Sequence, residues 1–259
     1  MAIYKSNKKV VAVYKGSTPI NKIYKGGTLV FQKSGGGGNT HLFEGTATGN
    51  FYLKINNNQR IPITPDASGK WFYDTDETIT SLFSAFYNQT AVTSVDLSNL
   101  DLTGMSTLLM FGSGRNIVSI KFNNTKIMKL VDVTSMFKGC SKLVSLDLSS
   151  FDTSNLTSAD SLFQGCSSLV SLDLSSFDTS NLKSAGSLFN GCTSLETLDL
   201  SNFDMSNATS FNDMFSGCTS LSTIKCKQAF KDWCITNQDT IKLPTAMKEG
   251  GSGTWELTD

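Results

Sequence analysis

The sequence predicts an α/β solenoid: a short stack of repeats with β-rich caps, preceded by a small N-terminal β-meander. Three observations predict it. Cys140, Cys166, Cys192 and Cys218 stand each 26 residues after the last. The text around them repeats, as KGCSKLVSLDLSSFDTSNL, QGCSSLVSLDLSSFDTSNL, NGCTSLETLDLSNFDMSNA and SGCTSLSTIKC. An apolar–polar–apolar triplet recurs with them, at Val95-Asp96-Leu97, Ile120-Lys121-Phe122, Leu146-Asp147-Leu148, Leu172-Asp173-Leu174, Leu198-Asp199-Leu200 and Ile224-Lys225-Cys226. A fixed period of this length marks units that bury their apolar face only by stacking. The triplet has the alternation of a half-buried strand.

Residues 1–33 form a separate ten-residue repeat, AIYKSNKKVV, AVYKGSTPIN and KIYKGGTLVF, in which Tyr4, Tyr14 and Tyr24 align. Turn pairs Ser6-Asn7, Gly16-Ser17 and Gly26-Gly27 predict a four-stranded antiparallel meander. So few residues supply no stable lone core, so the segment reads as an anchor or oligomerisation piece. SGGGGNT, residues 34–40, is a flexible linker. Residues 41–90 read as an N-terminal β cap, with strands at FYLKI, RIPIT and KWFYD and a helical TSLFSAF segment. Residues 91–226 are the solenoid and residues 227–259 a C-terminal cap, with a helix at QAFKDWCITN, an edge strand at IKLP and a last strand at GTWELTD.

Within each repeat, apolar residues precede the strand (Val92, Ile117, Leu143, Leu169, Leu195, Leu221) and follow it (Leu100, Phe151, Phe177, Phe203). A further apolar–Phe pair recurs, from Met110-Phe111 to Met214-Phe215. The Asp-Thr-Ser-Asn stretch between them favours turns. SADSLF and SAGSLF allow one short helical turn, ended by Gly139, Gly165, Gly191 and Gly217. Strand on one face and turn on the other is the leucine-rich-repeat plan.

The phrase LDLSSFDTSNLTSADSLFQGCSSL resembles the BspA-like bacterial surface-protein leucine-rich repeat of Mycoplasma-lipoprotein type. The resemblance spans residues 134–226 and, more loosely, 86–133, where Gln89 and Gly114 take the cysteine's place. It implies surface recognition or adhesion and no catalysis, and it names no ligand. The IYKGST-type repeat resembles N-terminal segments of tailed-phage structural proteins.

The chain of 259 residues has zero net charge, unevenly placed. Residues 1–33 hold seven lysines and no acid, which leaves the remainder with 15 basic and 22 acidic side chains. A net-negative solenoid is a poor partner for nucleic acid. The N-terminus shows no secretory h-region and no lipobox cysteine, and no stretch approaches the ~20 apolar residues of a membrane span. Synthesis and folding in a cytoplasm are therefore expected, unlike the exported relatives. With one histidine, His41, and no CxxC pair, the cysteines read as reduced interior packing without zinc, and no cofactor is expected.

The open strand face, Ser145, Asp147, Ser171, Asp173, Thr197 and Asp199, is the predicted ligand-binding surface. Like charges on adjacent rungs repel, so this aspartate row reads as a binding or solubilising row and not a stabilising one. Asp101, Asp152, Asp178 and Asp204 read as turn caps. Trp71, Phe72, Tyr73 and Tyr87 read as cap core, with sugar stacking as the alternative. Tyr4, Tyr14 and Tyr24 are the predicted assembly contacts. No carboxylate pair stands out as catalytic. The expected function is a non-enzymatic virion structural protein of a tailed phage, a head or tail-fibre component, docking through residues 1–33 and showing host-surface glycan or protein the solenoid. A bacterial cell-surface adhesin is the alternative, and a carbohydrate-active enzyme the weaker one.

Overall fold

The computed structural model describes residues 2–6, 9–15, 18–19, 22–25, 28–32, 41–55, 59–75, 85–98, 102, 110–122 and 129–258. The tyrosine–lysine repeats form β1 (Ala2–Ser6), β2 (Lys9–Lys15) and β3 (Thr18–Pro19), paired antiparallel in that order. A separate antiparallel hairpin follows, β4 (Lys22–Lys25) with β5 (Thr28–Gln32). The single meander expected from sequence is thus two sheets. Pro19 ends β3 after two residues and has no N–H to extend a ladder. The linker, residues 34–40, lies outside the described residues.

The N-terminal cap has four strands where three were expected: β6 (His41–Ala47), β7 (Phe51–Ile55), β8 (Gln59–Ile63) and β9 (Lys70–Thr75). β7 and β8 make a hairpin. β6 lies between β9 and β10 (Val92–Asp96), antiparallel to both, and β10 runs parallel to β11 (Ser119–Lys121). β6 is therefore the splice between cap and repeats. Gly45 faces Val95 and Trp71 across its two neighbours. A Cβ there would lie 2.0 Å from the Ser94 carbonyl oxygen, so only glycine lets β6 approach. Thr46 Oγ1 bonds the hydroxyls of Thr93 at 2.7 Å and Ser94 at 2.8 Å. The expected TSLFSAF helix falls on residues 80–86, of which 80–84 lie outside the described residues; Ala85 and Phe86 are in a turn and buried.

Successive coils stack in parallel, one repeat apart. β12 (Ser171–Asp173), β13 (Thr197–Leu200), β14 (Thr223–Lys227) and β15 (Thr254–Thr258) form one parallel sheet. Leu172 pairs with Leu198, Leu198 with Ile224, and Ile224 with Trp255. A second ladder runs through the parallel bridges Asp132–Ser158, Ser158–Ser184 and Ser184–Ser210. A third is made by backbone bonds from Phe137 to Leu162, Phe163 to Leu188 and Phe189 to Met214, at 3.0, 3.0 and 2.9 Å. Three ladders fasten the coils, the strand ladder being interrupted at residues 143–148.

Aromatic rings run down the core. Phe86, Phe111, Phe137, Phe163, Phe189 and Phe215 stack with centroid spacings of 5.4, 5.7, 5.7, 5.8 and 5.5 Å and near-parallel planes. Parallel rings at that spacing are offset, the favoured arrangement. Trp71 closes the N-terminal end, 5.8 Å from Phe86.

The segments before Gly139, Gly165 and Gly191 are turns, not the helical turn expected. Ser135, Ser161 and Ser187 take left-handed φ of 58°, 57° and 55°, and no α-helix runs through such a residue. The glycines themselves hold φ of 74° to 76°.

One rung departs from the pattern. Residues 143–148 form no strand, so Leu146-Asp147-Leu148 is not the strand its spacing predicted. Leu146 is half-buried where Ile120, Leu172, Leu198 and Ile224 are buried. We attribute the break to the preceding coil. There Thr125 and Lys126 stand in the slots of Phe151 and Asp152, and Phe122 fills a slot that holds leucine in Leu97, Leu148, Leu174 and Leu200. Phe122 meets Phe151 in a T-shaped contact at 5.0 Å.

At the C-terminus α1 (Gln228–Thr236) buries Phe230 and Cys234. IKLP is a turn and not an edge strand. Lys242 is left-handed at φ 55°, which breaks extension between the buried Ile241 and Leu243. Among the described residues no helix is long and apolar enough to cross a membrane.

Candidate functional site

The strand face is built by the repeat. In each coil the apolar residues of the triplet turn inward and the middle residue faces out. Ser145, Asp147, Ser171, Asp173 and Thr197 are exposed, and Asp199 is half-buried. The parallel register brings Ser171 beside Thr197 and Asp173 beside Asp199. It does not bring in Ser145 and Asp147, which lie in the rung without a strand.

The middle row carries both signs of charge: Asp96, Lys121, Asp147, Asp173, Asp199, Lys225 and Glu256. Lys121 lies 3.7 Å from Asp96, and Lys225 donates to Asp199 at 2.8 Å. Asp147 and Asp173 have no ion-pair partner among the described residues.

Each aspartate also closes a turn. The backbone N–H two residues on donates to Oδ1 of Asp96, Asp147, Asp173 and Asp199, at 2.9, 3.0, 2.9 and 3.1 Å. Such Asx turns fix the chain's exit from the strand. The row is therefore structural as well as exposed, which corrects the sequence expectation that it adds nothing to stability. Asp152, Asp178 and Asp204 do the same for Ser154, Ser180 and Ser206. Asp101 lies outside the described residues.

These bonds favour the charged form. The Ser149 side chain and backbone hold the Asp147 carboxyl below the ordinary 3.8, and Ser154 and Ser180 do so for Asp152 and Asp178. For Asp199 burial acts upward, but Lys225 and Ser201 together outweigh it and lower the value. Lowered carboxyl values add stability that is fully present above the unfolded aspartate value and lost as pH falls through the folded ones. Thermal stability should thus hold from pH 7 to 5 and fall below about pH 4. The combined change Asp147→Ala, Asp152→Ala and Asp178→Ala should flatten that acid limb in calorimetric melts, while replacement of the same three by Asn, which keeps an acceptor oxygen for the turn, should restore much of the stability at pH 7.

Side chains form further ladders between coils. The hydroxyls of Ser141, Ser167, Thr193 and Thr219 donate to the carbonyls of Arg115, Ser141, Ser167 and Thr193 at 3.3 to 3.4 Å. Beside the strand start, Val118, Val144 and Val170 make an exposed apolar stripe at one repeat slot, 47%, 54% and 42% accessible. Sequence reasoning missed it, although the 26-residue alignment was enough to reveal it.

The cysteine row lies inside. Cys140, Cys166, Cys192 and Cys218 are buried, and their thiols donate to the carbonyls of Phe111, Phe137, Phe163 and Phe189 at 3.4, 3.2, 3.1 and 3.1 Å. Burial pushes the Cys140 and Cys218 thiols up to about 12 and the Cys226 thiol to about 11. All six cysteines are free thiols. Since the thiolate is the reactive form, none should react with an aromatic disulfide reagent at pH 8 before unfolding. Thiol release during a denaturant titration should follow the loss of secondary structure, and a fast-reacting fraction in the native chain would contradict this placement.

Of the aromatic cap, Trp71 is buried and Tyr87 is 48% exposed; the side chains of Phe72 and Tyr73 lie outside the described residues, as do those of Tyr4, Tyr14 and Tyr24, whose backbones are in β1, β2 and β4.

A sequence family described as Mycoplasma protein of unknown function, DUF285, matches residues 103–233, half of the chain. No curated protein and no solved structure gives a significant match.

Proposed function

We propose, for a chain that belongs to the DUF285 family, a non-enzymatic recognition role: a leucine-rich-repeat solenoid of BspA-like type, held out from a larger assembly by its N-terminal β segment. The observation that carries this reading is the register of the exposed rows. Ser171 and Thr197, and Asp173 and Asp199, each present one kind of side chain at successive repeats. An array of that kind suits an extended or repeating partner, since adjacent rungs lie ~4.8 Å apart. The aspartates are tied into turns and ion pairs, which favours a fixed surface over carboxylates poised for acid–base work.

The assembly in this reading is the virion of a tailed phage, with residues 1–33 docking on head or tail. The motivation is the tyrosine–lysine repeat, too small for a core of its own, and the glycine run that separates it. Gold-labelled antibody against the full chain, viewed by electron microscopy, tests the placement. Labelled phage particles support it. Label on bacterial envelopes alone replaces it by a cell-surface adhesin, the second reading. Replacing Tyr4, Tyr14 and Tyr24 together by Ser should remove the label from particles while the soluble chain keeps its circular dichroism spectrum.

A further inference from the structure

The repeat ends asymmetrically. Phe151, Phe177 and Phe203 share one slot, and Ala229 stands in the next copy of it. Asp152, Asp178 and Asp204 share the following slot, which Phe230 then takes. A hydroxyl ladder stops at the same level. Thr153 and Thr179 accept the backbone N–H of Asp178 and Asp204, at 2.8 and 2.7 Å, whereas Met205 in their slot has no hydroxyl. The chain leaves register and α1 crosses the end of the turn rows. A cleft of about 610 Å³ remains between Ser176, Asp178 and residues 202–206 on one side and Lys227 with α1 as far as Trp233 on the other. Small-ligand sites span roughly 300–1,000 Å³.

The floor of the cleft is apolar, with Phe203, Met205 and Phe230 buried. Trp233 lines it, half-buried, stacked on Phe230 at 5.8 Å and in T-shaped contact with Phe211 at 5.0 Å. The rim is polar: Asp178, Asn202, Asp204 and Lys227. The two aspartates give Oδ1 to Ser180 and Ser206, at 2.9 and 2.8 Å, which leaves each Oδ2 to accept from a ligand. Asn202 donates its amide to the Ser175 carbonyl and so offers its oxygen. Lys227 makes no ion pair among the described residues and is a donor.

This is a set of acceptors around an aromatic wall, with one donor. The carboxylates repel anions and nucleic acid, and they are costly against a purely apolar ligand. They match a molecule rich in hydroxyl donors that also has an apolar face. We infer that the cleft binds a neutral saccharide, with hydroxyls on Asp178 and Asp204 and the C–H face of a ring on Trp233. The inference rests on the recognition reading and moves the specific contact from the open strand face to the end of the repeat.

Saturation-transfer NMR on the full chain, with a panel of neutral hexoses, N-acetylhexosamines and their disaccharides, tests it. At least one sugar should receive saturation, and its binding should perturb tryptophan emission. Asp178→Asn with Asp204→Asn should weaken that binding about tenfold, since charged acceptors bind hydroxyls more strongly. Ala229→Arg, at an exposed position, should fill the cleft and abolish it with an unchanged circular dichroism spectrum. Silence across the panel, or binding that survives Ala229→Arg, overturns the inference. Attachment of the same proteins to cells is measured in parallel. Attachment retained by Ala229→Arg sinks the cleft and leaves the recognition reading standing. Sugar binding at the cleft by a chain that attaches to no cell or particle does the reverse.

Discussion

Phe163→Ala is expected to lower unfolding free energy by about 3–5 kcal/mol, the cost of removing a large buried ring without full collapse of the hole. Phe163 is fully buried, at 0% exposure, with rings 5.7 Å to one side and 5.8 Å to the other. Its carbonyl also accepts the Cys192 thiol and its N–H donates to Leu188. The deletion interrupts the ring column near its middle, where neither cap can close it. Nearest-neighbour coupling then weakens between the two halves, so urea unfolding should lose steepness as well as midpoint. Phe163→Leu should recover much of the loss. A change under about 1 kcal/mol would show that the column does not carry the core.

Gly45→Val should have an effect of comparable size at the other kind of joint. Its Cβ would overlap the Ser94 carbonyl at 2.0 Å and the Trp71 ring at 2.9 Å. Backbone on one side and a buried indole on the other leave no easy relief, so the cost should reach the top of the about 1–3 kcal/mol that overpacking usually carries. The expected result is a cap detached from an intact repeat stack. Limited proteolysis should cut within residues 41–75 first, and Trp71 emission should shift to the red. Proteolysis and emission like those of the parent chain would mean that β6 is not the splice.

Much of the stack was legible because one interval dictates both sequence and register. Leu172, Leu198 and Ile224, aligned by spacing alone, are the residues that pair, and Phe137, Phe163 and Phe189 are the rings that stack. What spacing could not reveal was local. Ser161 and Ser187 take left-handed angles that nothing in SADSLF or SAGSLF announces. β6 was hidden because a glycine and small residues replace the alternation a strand shows. Residues 143–148 keep the strand pattern in sequence yet form no strand, a break we attribute to the coil before and one invisible to a residue-by-residue reading. Exposure of Asp147 and Asp173 followed from alternation, but their turn bonds are tertiary detail. The cleft beside α1 comes from the repeat's end, where Ala229 breaks a rule that only the preceding coils establish.

The three backbone ladders also set how the molecule answers to force. From Phe137 to Phe215 each coil is fastened to the next by the same turn-side bonds, and from Ser171 onward by the strand ladder as well. A pull between the two ends loads the terminal coil first, and its release leaves the following coil fastened as before. Extension should therefore proceed as a staircase of similar treads, each paying out 26 residues, or on the order of 90 Å of contour. Such a stack should lengthen under load while the coils not yet released stay folded.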